Sequence, residues 1–289
     1  MMVGQMRESL WVLRLIAGHA IQRMALNLSG AASSLLSPVA HRRVTEWAFS
    51  LVAPSLQPCR YHRALRALQA RGMKAVAARK AAAHYLARDW LRQVWLRTYR
   101  QQSLAALRHH MRAIQWHDPR GLWAASAGRQ RVICFLPSGD LELAIAAVLD
   151  RPGAPTHYFL NSPHAEHSAE HAVLRNLQRH GRLLEVGGAK HRGQAWRSLR
   201  RGATVICILD PADLAPSISE HEAGPVRFAK LAKVPMLLLS HRYDSSDAGT
   251  LHVLGEFGGK SATLSAQCLR ESIHSFITAA PLDWHHLDR

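Results

Sequence analysis

The stretch Arg131-Val-Ile-Cys-Phe-Leu-Pro-Ser-Gly-Asp-Leu-Glu-Leu-Ala-Ile-Ala146 sets the fold class of this chain. Its unbroken apolar run predicts a strand that is buried on both faces, and Pro137-Ser-Gly-Asp140 predicts a tight turn. The residues that follow predict a helix with a carboxylate, Glu142, in its first turn. Strand, turn and helix in this order are typical of α/β proteins, whose sites lie beyond the carboxyl ends of strands.

Working outward, apolar runs alternate with helical segments along most of the chain. The predicted strands are 132–136, 157–160, 183–186, 204–209, 235–239 and 251–254. The predicted helices are 141–149, 164–180, 193–200, 225–233 and 265–279. This alternation predicts a mixed, mostly parallel sheet flanked by helices. We place the α/β core at 116–289, beginning near a turn at 118–121.

The preceding region, 1–115, is predicted to be basic, amphipathic and helical. Its second half is rich in Ala and Arg and carries apolar and aromatic residues at helical spacing: Tyr85, Trp90, Val94, Trp95 and Tyr99. Such a stripe is more typical of a helical core than of a nucleic-acid surface. No zinc-finger, helix-turn-helix or ribonucleoprotein motif accompanies it, so we expect no nucleic-acid partner.

The segment 9–39 is apolar but is interrupted by charged and polar residues such as Arg14 and Arg23. It contains no run of the roughly 18–20 apolar residues that a spanning helix needs, and no signal-peptide cleavage site. Two interpretations stay open: an amphipathic helix lying in a bilayer interface, or a helix packing on its own domain.

The 131–146 stretch resembles the catalytic segment of the lipid A late acyltransferases, the lauroyl/myristoyl branch of the lysophospholipid acyltransferase superfamily. That family carries a His after the strand and an acidic residue five positions later. Aligned without a gap, Glu142 is the acidic residue, Gly139 is the glycine of the turn, and Pro137 stands where the family has its His.

Further blocks extend the resemblance over roughly 120–289. The block from Leu199 to Asp210 is similar to one in which a helix ends in Gly and a strand delivers an Asp to the site. Residues 223–239 are similar to the following helix and apolar strand, and Asn161 stands where the family usually carries Asn-Pro. The segment Pro281-Leu-Asp-Trp-His-His286 is similar to the family's closing motif. The resemblance implies a lysophospholipid-acyltransferase-like fold.

The resemblance also implies acyl transfer from acyl carrier protein or a CoA thioester to a lipid or polar hydroxyl, with no cofactor. This chemistry needs a base for the hydroxyl proton, and Pro137 has no ionisable group. Glu142 is then the best catalytic candidate, with Asp140 or Ser138 assisting. The alternative is an inactive homologue that binds an acyl carrier, a lipid or a protein. The candidate substrate-binding residues are Pro137, Gly139, Asn161, Asp210 and Arg242.

The charge of the chain suits an anionic partner. Lys and Arg number 37 against 20 Asp and Glu, which gives a formal charge of +17. Solvated charges typical of an Arg-rich proteome would give the same balance. Taken with the resemblance, the charge favours an anionic lipid or membrane surface, with peripheral attachment at the cytoplasmic face of the inner membrane.

Two further patterns are weak. His167-Ser-Ala-Glu170-His171, with His164 nearby, matches the inverted zincin motif, but a solvated helix face is the simpler interpretation in a chain with 19 His. We predict no metal site. Cys134 and Cys207 lie in apolar strand-like runs, which predicts buried free thiols.

Overall fold

A computed structural model describes residues 38–125, 129–151, 154–161, 183–187, 192–209, 224–243, 248–258 and 266–287. The chain divides into two compact units between Thr98 and Tyr99. The first unit contains helices α1 (Pro38–Leu56) and α2 (Pro58–Ala70) and most of α3 (Ala75–Gln101).

The second unit is the α/β core. Its helices are α4 (Leu104–Ala113), α5 (Leu122–Ala125), α6 (Leu141–Asp150), α7 (Arg192–Arg200), α8 (Gly224–Ala232) and α9 (Ala266–Ala279), followed by a 3-10 turn, Pro281–Asp283. Its strands are β1 (Gln115–His117), β2 (Val132–Phe135), β3 (His157–Asn161), β4 (Leu183–Gly187), β5 (Thr204–Ile208), β6 (Met236–Arg242) and β7 (Thr250–Phe257).

The strands of the described residues form one sheet in the order β1-β7-β6-β2-β5-β3-β4. Strands β2 to β6 run parallel to one another, whereas β7 pairs antiparallel with β6 and parallel with β1. The prediction of a mixed, mostly parallel sheet flanked by helices is confirmed. Because β5 and β6 flank β2 on either side, the carboxyl end of β2 lies in the middle of the sheet.

Burial explains why the 131–146 stretch folds as it does. All four residues of β2 are fully buried, which fits its continuous apolar sequence. Cys134 of β2 lies opposite Cys207 of β5, and both are buried thiols that form no disulfide, as predicted. Of the predicted aromatic stripe, Trp95 is partly exposed and the other members are buried.

Several boundaries differ from the sequence prediction. The helical stretch predicted up to 115 is broken at 71–74 and 102–103, and its last helix, α4, belongs to the second unit. The reason is that α4 packs on α6. Strand β1 was not predicted because it has only three residues, and β7 extends beyond 251–254 because it pairs along the length of β6. The helix predicted at 164–180 lies outside the described residues.

Two indole groups, with a guanidinium group against each of them, attach the short strand β1 to the core. Arg131, fully buried before β2, lies 4.1 Å from the ring centre of Trp123. Trp123 packs edge-on against Trp116 of β1, with ring centres 5.3 Å apart. The guanidinium of Arg151 lies 3.6 Å from the ring centre of Trp116. Cation–π contacts of this kind contribute about 0.5–2 kcal/mol each, which helps to hold a strand too short to be stable alone.

Within the described ranges, no helix is both long enough and apolar enough to cross a membrane. The 27-residue α3 has sufficient length, but charged side chains are spread along it.

Candidate functional site

The turn between β2 and α6 brings the motif residues together at the carboxyl end of β2. Ser138 is fully buried, and Asp140 and Glu142 are each 2% exposed. Pro137 and Gly139 are buried as well. The neighbouring strand β6 ends beside this turn, because β2 and β6 are paired in parallel. The side chains of Pro137, Ser138, Asp140 and Glu142, which the sequence singled out, are therefore shielded from solvent.

An imidazole that sequence reasoning missed organises this turn. His241, the second-last residue of β6, is fully buried. Its Nδ1 accepts a hydrogen bond from the backbone N–H of Asp140 at 2.9 Å, and its Nε2 lies 2.8 Å from the carbonyl oxygen of Ala248. The N–H donor and the C=O acceptor together assign the neutral tautomer with the proton on Nε2. The available signal was a polar residue ending an apolar strand, but the prediction selected its neighbour Arg242.

Two glycines make room for the His241 ring. Gly139 and Gly249 have φ angles of +55° and +76°, which only glycine adopts without strain. A Cβ on Gly139 would lie 2.8 Å from the carbonyl oxygen of His241, and one on Gly249 would lie 2.6 Å from its Cε1. The ring therefore fits between two backbone segments that cannot carry side chains.

The hydrogen bonds of Ser138 join the ends of β2 and β6, and none of them would activate its hydroxyl as a nucleophile. Its Oγ lies 2.7 Å from the Oγ of Ser240 and donates to the carbonyl of Leu136. It also accepts from the N–H of His241. A nucleophilic serine needs a base that takes its proton, and these partners are a hydroxyl and backbone groups.

Asp140 caps helix α6. Its Oδ1 accepts from the N–H of Leu143 at 3.1 Å, and its Oδ2 accepts from the hydroxyl of Tyr99 at 2.8 Å. Burial, and then the negative charge of Glu142, raise the pKa of this carboxyl to about 6. The hydrogen bonds from Leu143 and Tyr99 lower the pKa, but they offset only part of this rise. Burial also raises the pKa of Tyr99 well above its ordinary value, so the phenol stays a hydrogen-bond donor.

The end of the chain covers the turn. We call residues 281–287 the C-terminal segment. The N–H of Gly139 donates to the carbonyl of Asp283 at 2.8 Å, and the N–H of His285 donates to the carbonyl of Pro137 at 3.0 Å. The Nε2 of His285 lies 2.7 Å from the carbonyl oxygen of Gly139. Trp284 forms an isolated antiparallel bridge with Ser138.

The remaining candidates are not gathered at the turn in the same way. Asn161 ends β3, and its backbone lies at the same edge of the sheet. The guanidinium of Arg242 donates to the carbonyl of Ala279 at the end of α9, at 3.3 Å, so it caps a helix. Asp210 lies outside the described residues, as do His164, His167, Glu170 and His171. Within the described ranges, no group of three or more His, Cys, Asp or Glu is arranged to hold a metal ion.

No protein-family model matches this chain, and no curated protein sequence matches it either. The resemblance to the acyltransferases therefore depends on the motif residues and on an α/β fold of the expected class.

Gly139→Ala should destabilise the fold by several kcal/mol, because the new methyl group overlaps the His241 ring and its carbonyl. Gly202→Ala is the matched control, since Gly202 has a φ of +93° but nothing within 4 Å of a Cβ. It carries only the cost of the left-handed backbone, about 1–2 kcal/mol. Urea unfolding of both variants measures the difference. Equal losses would show that the ring is not tightly enclosed.

Asp140→Asn should flatten the pH dependence of stability between pH 4 and pH 7. The folded state holds the Asp140 proton more tightly than the unfolded chain does, so stability falls as the pH rises through this window. The effect is about 3 kcal/mol for a shift of this size. Tyr99→Phe should steepen the fall, because it removes a hydrogen bond to the carboxylate. Free energies of unfolding at several pH values provide the measurement, and three parallel profiles would contradict the assignment.

Proposed function

We propose that this protein is a catalytically inactive acyltransferase-like protein that binds an anionic membrane surface. The observation that supports catalytic inactivity is the burial of the turn at residues 137–140, which we call the motif turn. Pro137 stands where the resemblance requires a base, and the carboxylates and hydroxyl around it are at most 2% exposed.

A base for acyl transfer must reach the acceptor hydroxyl, within hydrogen-bonding distance or through one water. Glu142 is buried in the first turn of α6, and Asp140 is committed to its cap and to Tyr99. Both ring nitrogens of His241 bond to backbone groups. Asp140 and His241 therefore support a structural role, because each already makes hydrogen bonds within the folded chain.

The membrane partner is supported by the charge of the first unit. Residues 38–98 contain twelve Lys and Arg but only two acidic residues, Glu46 and Asp89. Glu46 pairs with Arg88 at 3.3 Å, and Asp89 pairs with Arg60 at 2.9 Å. Both acidic side chains are therefore used internally. The exposed basic residues are Arg43, Arg63, Arg66, Arg71, Lys74, Arg79 and Lys80.

Helix α1 adds an exposed apolar surface to this charge. Val44, Trp47 and Leu51 are 53%, 66% and 65% exposed and lie on one face of the helix. Basic residues beside Trp, Leu and Val are typical of helices that lie in the interface of an anionic bilayer. The exposed apolar side chains of Val44, Trp47 and Leu51 favour a lipid surface, because they gain most from transfer into a bilayer interface. Following the resemblance, we place this surface at the cytoplasmic face of the inner membrane.

Acyl transfer from acyl carrier protein or acyl-CoA is the second candidate, and one contact favours it. The imidazole of His285 lies against the carbonyl of Gly139, beside the position of the missing His. His285 is partly exposed, so an imidazole from the end of the chain could substitute for the base.

Purified protein should release no thiol from a panel of acyl-carrier-protein and acyl-CoA thioesters, with or without lipid acceptors. Pro137→His should gain no turnover, because the introduced ring would be buried under the C-terminal segment. A working acyltransferase in the same assay is the positive control. Turnover that disappears in His285→Gln or Glu142→Gln would overturn the proposal in favour of the second candidate.

The protein should sediment with vesicles that contain phosphatidylglycerol and not with vesicles of phosphatidylcholine alone. Replacing Arg63, Arg66 and Lys74 together by Gln should weaken binding roughly 100-fold, since each basic residue near an anionic surface contributes about 1 kcal/mol.

The matched control replaces three exposed basic residues of the second unit, Arg112, Arg200 and Lys230, by Gln. It removes the same charge and should weaken binding far less. Equal losses in the two triple variants would show that net charge, and not the first unit, binds the vesicle. Binding of acyl carrier protein without vesicle binding would identify a different partner.

A further inference from the structure

The C-terminal segment is joined to the turn after β2 by fewer backbone hydrogen bonds than join β2 to its neighbouring strands. Two backbone hydrogen bonds join the segment to Pro137 and Gly139, and they form the isolated bridge between Ser138 and Trp284. The strands beneath are joined by full ladders on both sides of β2. The turn therefore lies between a rigid sheet and a short covering segment.

We infer that the C-terminal segment is a cover whose local opening, without unfolding of the sheet, controls access to the motif turn. This inference goes beyond the proposed function and holds for an active or an inactive protein. Opening releases the N–H of Gly139 and the carbonyl of Pro137, the backbone groups on either side of Ser138. These groups lie at the carboxyl ends of the central strands, where α/β folds bind ligands.

Three features make the segment separable from the sheet. It follows α9 and contributes no strand to the described sheet, so moving it breaks no strand. Two backbone hydrogen bonds join it to the turn, whereas β2 has a ladder on each side, and less strongly bonded segments open with smaller free energies than core strands do. The buried side chains of Trp284 and Leu287 keep it closed most of the time. The hydrogen bond from His285 to Gly139 is the side-chain contact that can be removed without altering the turn itself.

The test is the reactivity of a thiol placed at residue 138, which is fully buried and is bridged to Trp284 of the segment. Ser138→Cys is made in a Cys59→Ser, Cys268→Ser background, which removes both exposed native thiols. Under native conditions the introduced thiol should react with a disulfide reagent faster than the buried Cys134 and Cys207. Adding His285→Ala should accelerate it about fivefold, equal to about 1 kcal/mol for one hydrogen bond, and leave the two native thiols unchanged.

His274→Ala is the matched control, because His274 is an exposed imidazole on α9. It should leave the rate of the introduced thiol unchanged. If the introduced thiol reacts only as fast as Cys134 and Cys207, with the same dependence on urea, access requires global unfolding and the inference is wrong.

Hydrogen exchange gives a second measurement that needs no cysteine. The amide of Gly139, bonded to Asp283, should exchange several-fold faster in His285→Ala than in the parent protein. The amide of Val132, bonded to Pro235 inside the sheet, should not change. Equal acceleration at both amides would overturn the inference, because it would report a loss of global stability. Thioester turnover is not part of either readout, so a failure here is distinct from a failure of the proposed function.

Discussion

The structure of the candidate site depends on one neutral imidazole enclosed by backbone. His241 joins the turn after β2 to the connection between β6 and β7, accepting from one backbone N–H and donating to one carbonyl. The two glycines that face the ring leave no space for side chains. This arrangement fixes the backbone position of Asp140, at which helix α6 begins. Both ring nitrogens of His241 are used for it, and among the described residues His241 is the one fully buried imidazole.

Because the turn is fixed in this way, its polar groups make hydrogen bonds that stabilise the fold. The cap formed by Asp140, the paired hydroxyls of Ser138 and Ser240, and the backbone bonds to the C-terminal segment all satisfy buried groups that would otherwise be costly. The raised pKa of Asp140 follows from the same burial. Perturbed carboxyl groups often mark catalytic sites, but here the carboxyl has a structural explanation and is shielded from solvent.

The sequence predicted the α/β class, the strands and the buried thiols because these depend on local pattern. Short continuous apolar runs such as 132–135 that are bounded by turns are typical of buried strands, because they are too short for an ordinary helix. Strand β1 escaped prediction because three residues carry no period, and its place depends on the contacts of Arg131 and Arg151 with the two indole groups. The sequence placed Ser138 and Asp140 in the tight turn and Glu142 in the first turn of the helix, as the structure has them, but their burial depends on partners far away in sequence.

The sequence by itself determined that the motif turn follows a buried strand, that Pro137 occupies its key position, and that the first unit is strongly basic. Each of these is a local or additive property of the chain. Only the tertiary structure decided that His241 and the C-terminal segment meet this turn, since they lie about 100 and 145 residues away along the chain. The physical reason is that hydrogen bonds between residues distant along the chain leave no periodic signal in the sequence. Parallel pairing of β2 with β6 brings His241 to the turn, and two backbone hydrogen bonds hold the C-terminal segment there.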